Sequence, residues 1–234
     1  MCSFTCCCHR MPVPASNDPQ AAPRALLTRL IHKFASNPVV YDVSQKIAGS
    51  GPLDPALAQV TSIAAADARV LDVGGGTGRS RHLWPRSCTY VLIDTDAVML
   101  SGLAAARRPG FPVRGDATTL PIASCTIDWV LCKQVSHHIS DDGLADLFSE
   151  IRRVLKPGGQ FIYVDCVWRP ESRIARMLWK YDRGSHPRAE EELRRAFDPY
   201  FEILDVRSCV NNHRYVMFAL SPRVLIRAGA QPSA

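Results

Sequence analysis

From residue 70 onward the apolar residues gather in short unbroken runs, each stopped by glycine, proline or an acid. Val70-Leu71-Asp72-Val73 collapses into Gly74-Gly75-Gly76-Thr77-Gly78, and Tyr90 to Ile93 ends at Asp94. Phe111 to Arg114 is closed by Gly115-Asp116-Ala117, while Ile127 to Cys132 and Phe161 to Val164 follow. Runs of this length bounded by turn residues predict buried strands. Between the fourth and fifth runs, Leu144, Leu147, Ile151 and Leu155 recur at helical spacing. They predict a helix over 142–155 that stops at Lys156-Pro157-Gly158-Gly159. Further helices are expected from about Thr77, over 25–34, 39–47, 54–66, 168–182 and 190–197, and further strands over 201–206 and 215–220. Strands alternating with helices imply an α/β protein, a mostly parallel sheet covered on both faces.

The glycine loop narrows the ligand. Glycine permits positive φ and lets backbone pass close to a bound molecule. A dinucleotide fingerprint needs G-x-G-x-x-G, but the sixth position counted from Gly74 is Arg79, and from Gly76 it is Arg81. The spacing is G-x-G-x-G with Asp72 just ahead. An acid there is a poor neighbour for a pyrophosphate and suits a ligand with a cationic amino-acid end. Asp94, about 20 residues on, is placed to accept from ribose hydroxyls.

In order and spacing, VLDVGGGTG at 70–78, Asp94, GDATTLPI at 115–122, TIDWVLCKQVSHHI at 126–139 and RVLKPGGQFIYVD at 153–165 resemble the class I S-adenosylmethionine-dependent methyltransferases of the type-11, ubiquinone/menaquinone-methylase-like group. The resemblance covers residues 60 to 168. It implies a Rossmann-like, seven-stranded sheet with the last strand antiparallel and an N-terminal helical cap. It further implies that Gly74, Gly75 and Gly76 hug the methionine part of S-adenosyl-L-methionine, with Asp72 near its ammonium. Asp94, with Thr95 beside it, would hold the ribose; Asp116 and the Ala117 N–H would read the adenine edge. Lys133 and Gln134 would lie beside the methionine and the sulfonium, and Tyr41 in the cap would lie over the sulfonium. His138 and, behind it, His137 are the candidates for a general base.

Domain limits follow. Residues 1–23 are expected to be a disordered arm, 24–67 a helical cap, 68–222 the methyltransferase domain with a substrate-side insertion over 168–198, and 223–234 a tail. Hydrophobic content of 47% is ordinary for a globular chain. The net charge of +6 invites a nucleic-acid reading. The basic residues, however, read as scattered among acids, as in Glu190-Glu191-Glu192-Leu193-Arg194-Arg195, a solvated face. No apolar run reaches the roughly 18 residues of a membrane span, and no export leader is evident. Nine cysteines, an odd count, point to a reducing, cytoplasmic setting. The run Cys6-Cys7-Cys8-His9 lacks the second pair a zinc site needs, so no metal is expected. Asp/Asn-Pro-Pro-Tyr/Phe after strand four, a Pro-Cys or Thr-Cys nucleophile and a paired-Glu loop are all missing. Those absences favour a small-molecule acceptor at O, N or C over RNA or protein, with a catalytically silent binding module as the remaining alternative. The acceptor's identity and the oligomeric state stay open.

Overall fold

The computed structural model describes residues 50–169, 171, 172, 176, 179, 186–211 and 213–223. The apolar runs become β1 (Arg69–Val73), β2 (Thr89–Asp94), β3 (Phe111–Arg114), β4 (Ile127–Lys133) and β5 (Leu155–Val167), followed by β6 (Phe201–Val210) and β7 (Arg214–Pro222). They form one sheet in the order β3-β2-β1-β4-β5-β7-β6. The first five pair in parallel, and β7 runs antiparallel to both β5 and β6. Described helices are α1 (Asp54–Thr61), α2 (Ala97–Ala105), α3 (Asp141–Val154) and α4 (Glu190–Phe197).

Helix α3 shows how the sequence sets an element. Ser140 accepts from the Gly143 N–H at its start, and two acids in the first turn and two arginines in the last oppose the dipole. Its apolar stripe, Leu144, Leu147, Phe148, Ile151 and Val154, is buried against one sheet face with Phe161, Tyr163 and Phe218. Phe148 is fully buried and meets the rings of Phe161, Phe197 and Phe201. The opposite face packs Leu57 of α1 with Trp84, Trp129, Leu131, Ile162 and Met217.

Three expectations are corrected. No α-helix follows Thr77: Gly78 sits at φ 72 and a five-residue 3-10 turn, Arg79–Leu83, takes its place. The carbonyls of Trp84, Pro85 and Arg86 bond to the Arg81 guanidinium instead of a helical ladder. Helix α1 ends at Thr61 and not at Ala66, because the Thr61 hydroxyl donates to Leu83 O and the Ala64 N–H turns back onto Thr61 O. The Lys156-Pro157-Gly158-Gly159 breaker lies inside β5 as a bulge: Leu155 pairs with Ile127, and Gln160 pairs with Trp129. The expected arm, the helices over 25–34 and 39–47, most of the helix over 168–182 and nearly all of the tail lie outside the described residues.

Truncating Phe148 to Ala removes a ring from the centre of the α3 face. We expect a loss of about 3–5 kcal/mol in urea unfolding with an unchanged m-value.

Candidate active site

The chain lays β1, β2 and β3 outward in one direction, then returns to set β4 on the other side of β1. Connections leaving β1 and β4 diverge there, and open α/β sheets bind ligands in that crevice at the carboxyl ends of the strands. Two adjoining cavities occupy it. A larger one of about 440 Å³ is lined by Gly76, Asp94, Thr95, Asp116, Ala117 and His138 among others. A smaller one of about 40 Å³ is lined by Asp54, Asp72, Gly75, Arg79 and Lys133. Gly74 and Gln134 border both.

Asp72 is buried at the end of β1. The Tyr90 hydroxyl donates to its Oδ2, while its Oδ1 is buried with no hydrogen-bond partner. Burial pushes the carboxyl up from 3.8 to about 7, against the pull of the Tyr90 hydrogen bond and of Lys133. Burial together with Asp72 likewise pushes the Tyr90 phenol well above its ordinary range. The glycine loop is shaped around this acid. A Cβ on Gly75 would stand 2.0 Å from Leu92 Cδ1 and 2.6 Å from Asp72 Cγ; on Gly74, at φ 64, it would stand 2.4 Å from a Val135 methyl. Protein atoms, not only an open ligand surface, therefore demand these glycines.

Asp94 closes β2 and is half-buried. Its Oδ2 accepts from the Gly76 N–H at 2.9 Å and its Oδ1 from the Asp96 N–H at 2.9 Å. Burial pushes its carboxyl above 3.8, opposed by those backbone donors. Gly115 N–H donates to Asp94 O, which carries Asp116 and Ala117 to the same wall. Asp116 Oδ1 accepts from both the N–H and the hydroxyl of Thr118 at 2.8 Å.

Across the crevice, Lys133 Nζ pairs with Asp54 Oδ1 at 2.9 Å, tying the end of β4 to α1. Gln134 adopts φ 60 and its N–H donates to Val164 O. A 3-10 turn, Ser136–His138, follows. His138 is exposed and lines the larger cavity. His137 is buried and absent from the cavity wall; its Nδ1 lies 2.6 Å from Asp165 Oδ1, and its ring lies against His138 at 4.0 Å between centroids. Tyr41 lies outside the described residues.

Asp165 is the residue that sequence reasoning passed over. It accepts from the Ser136 N–H and hydroxyl, the His137 N–H, the His137 ring and the Cys166 N–H. Burial alone would raise this carboxyl, but His137 and the Ser136 hydrogen bond outweigh it and hold it down at about 2. Asp165 ends its apolar run as Asp94 ends β2, and that repeated position was the available signal. Nitrogen, oxygen and sulfur of His137, Asp165 and Cys166 lie within 4.8 Å of one another. With its oxygens already accepting these donors, Asp165 reads as the hub of a hydrogen-bond network, not as a metal ligand. Arg188 grips the same turn from outside, donating to Ser136 O, Ile139 O and Asp141 Oδ1.

Residues 71–163 match the family model described as a methyltransferase domain. The described residues supply the seven-stranded sheet and the glycine loop at its switch point. This segment is a class I methyltransferase domain. The chain is 34% identical over 121 residues to an uncharacterized methyltransferase of Mycobacterium tuberculosis, covering 51% of this chain and 46% of that protein. It is 34% identical over 131 residues to phthiotriol/phenolphthiotriol dimycocerosates methyltransferase 1 of Mycobacterium ulcerans, covering 51% and 44%. The chain thus spans about half the length of the curated relatives it matches. Among solved structures, the PH0226 protein of Pyrococcus horikoshii aligns with TM-score 0.62 at 21% identity, over 79% of this chain and 92% of that one. Geranyl diphosphate C-methyltransferase of Streptomyces coelicolor aligns with TM-score 0.62 at 16%, over 74% and 76%. At such identities these two show the fold.

Asp72 gives the ligand-free chain a pH signature. Its folded pKa, about 7, lies above 3.8, so the fold holds this proton more tightly than the unfolded chain does. That contribution is intact below the unfolded value and is lost as pH rises through 7. Asp72→Asn is therefore expected to raise unfolding free energy by about 4 kcal/mol near pH ~8 and to change it little near pH ~4, read by urea titration.

Proposed function

We propose that the chain transfers a methyl group from S-adenosyl-L-methionine to O, N or C of a small-molecule acceptor. One observation carries this reading: a buried carboxylate oxygen, Asp72 Oδ1, has no partner beside the glycine loop. A buried acid left unsatisfied is costly, and the cofactor's ammonium is the cation that answers it. The rest of the crevice fits the same group. The larger cavity, at about 440 Å³, has the size of a small-ligand site. Asp94, already fixed by two backbone N–H groups, has lone pairs left for a ribose diol. Asp116 and Ala117 stand where an adenine edge would end, Thr95 lines the ribose side, and Lys133 and Gln134 flank the methionine side.

The cofactor supplies a methyl already activated on a positive sulfur. Held by Asp72, Asp94 and the glycine loop, it would present that carbon to an acceptor nucleophile for in-line displacement. What the chain adds is alignment and exclusion of water, which supplies roughly 7–11 kcal/mol in favourable cases. Where the acceptor carries a proton, His138 is the group that takes it, since it faces the cavity. His137 supports it: Asp165 fixes one ring nitrogen, and the ring backs His138.

Two similar proteins named for small-molecule acceptors, a dimycocerosate and geranyl diphosphate, support the acceptor class. A cysteine nucleophile of the RNA cytosine-C5 kind finds no support in β4, where burial pushes the Cys132 thiol well above its ordinary range. A cytoplasmic setting goes with this reading: the five described cysteines are all free thiols. Among the described residues no helix is long and apolar enough to cross a membrane.

Titration calorimetry should show S-adenosylmethionine and S-adenosylhomocysteine binding, with Asp94→Ala weakening both at least ~10-fold. Absence of binding at millimolar concentration rejects the reading. Methyl-labelled cofactor offered with a metabolite extract, RNA or protein should label the small-molecule fraction. In that fraction His138→Ala is expected to lower turnover about 10²–10⁴-fold with unchanged cofactor affinity.

A further inference from the structure

The expectation that basic residues are scattered among acids holds at 190–195 and fails elsewhere. Residues 73–93 contain Arg79, Arg81 and Arg86 and no acid; residues 97–115 contain Arg107, Arg108 and Arg114 and no acid. Those six arginines equal the whole formal net charge of +6, so the rest of the chain is balanced. The fold sets the two stretches side by side, because α2 carries the second one back along the turn that follows the glycine loop. Arg81 Nε donates to Pro109 O at 2.7 Å, and Arg108 donates to Thr77 O at 2.7 Å, stitching them together. Of the six, only Arg114 points elsewhere, donating to Thr95 O.

Between the stretches lies a basin of about 590 Å³, lined by Arg79, Arg81, His82, Arg86, Arg107 and Arg108 around Trp84 and Pro109, with no acid in its wall among the described residues. Its floor is built, not incidental. Arg81 is 5% exposed and is held by four carbonyls, with no carboxylate against it among the described residues. Its guanidinium carbon lies 5.4 Å from the centre of the Tyr90 ring. Trp84 is 4% exposed, and its indole N–H is buried with no hydrogen-bond partner. At the rim, Arg86 and Arg107 are exposed and make no ion pair among the described residues. Arg107 is held at φ 52, a left-handed conformation uncommon for a residue with a side chain.

We propose that this basin binds a small, multiply charged phosphate group, such as the diphosphate or triphosphate of a phosphorylated metabolite. Guanidinium groups line one concavity, and the planar forks of Arg86 and Arg107 at its rim match phosphate oxygens in pairs. Clustered like charge above a buried cation raises the local potential, and an anion relieves that repulsion. Concavity favours a compact anion over a long strand, which needs a basic track running along the surface. Among the described residues the basin meets the crevice only at Arg79, which lines both it and the small cavity beside Asp72. This proposal stands independently of the methyl-transfer reading.

The test titrates inorganic pyrophosphate and tripolyphosphate into the full chain by calorimetry at about 50 and 200 mM salt. Arg86→Glu/Arg107→Glu is run alongside, with a single-stranded RNA oligonucleotide as a third ligand. Far-UV circular dichroism and thermal melting check that the double variant is folded. A second variant, Trp84→Phe, keeps the ring and removes the indole N–H. Saturable binding of both phosphates, weakened at least ~10-fold by the double variant and by added salt and about threefold or more by Trp84→Phe, supports the proposal. No binding, or equal binding to parent and double variant, overturns it. RNA binding tighter than tripolyphosphate and lost in the double variant also overturns it, because the partner is then a nucleic acid. S-adenosylhomocysteine affinity, measured in the same samples, reports separately on the crevice.

Discussion

A carboxyl group with almost no exposed surface, Asp72, governs the shape of everything around the crevice. An acid at that depth has to be neutral, paired or both. Tyr90 provides one hydrogen bond, Lys133 provides field, and the remaining oxygen stays unanswered. The loop above it must be glycine because Leu92 and Asp72 already fill the volume a side chain would take. Strand register follows the same point: Asp72 pairs with Leu92 on one side and Leu131 on the other. That register brings Asp94 and Lys133 to the two walls.

The crevice is organised as strand ends, each contributing one acid or one loop. Asp72 and Asp94 face the cavities, whereas Asp165, in the same kind of position on β5, turns inward to hold the Ser136–His138 turn. Asp165 from within and Arg188 from outside fix that turn at five of its polar groups. His138 can therefore present its ring to the cavity from a short exposed segment without the freedom of a loop.

Much of this architecture was legible in the sequence. Strands announced themselves because buried parallel strands are nearly continuous in apolar residues; β3, Phe111–Arg114, has the expected bounds but is a mostly exposed edge strand, not a buried one. Helix α3 was readable from its stripe, while the segment expected to stop it lies inside β5. Illegible features share a cause: they depend on side chains reaching across the fold. Arg81 closing the Trp84–Arg86 carbonyls cannot be inferred from spacing, and so the turn read as a helix. Asp165 stood in the sequence without a visible partner, since Ser136 and His137 lie about thirty residues away. The split of arginines into two acid-free stretches was visible in the sequence, but only the fold makes them neighbours.

One side chain, that of Arg81, takes over the work that a ladder of helical hydrogen bonds performs in most strand-to-strand connections. Its four bonds go to main-chain oxygens, which every residue type offers alike. The path of residues 84–86 is consequently tied to that single guanidinium through groups that no side-chain substitution removes.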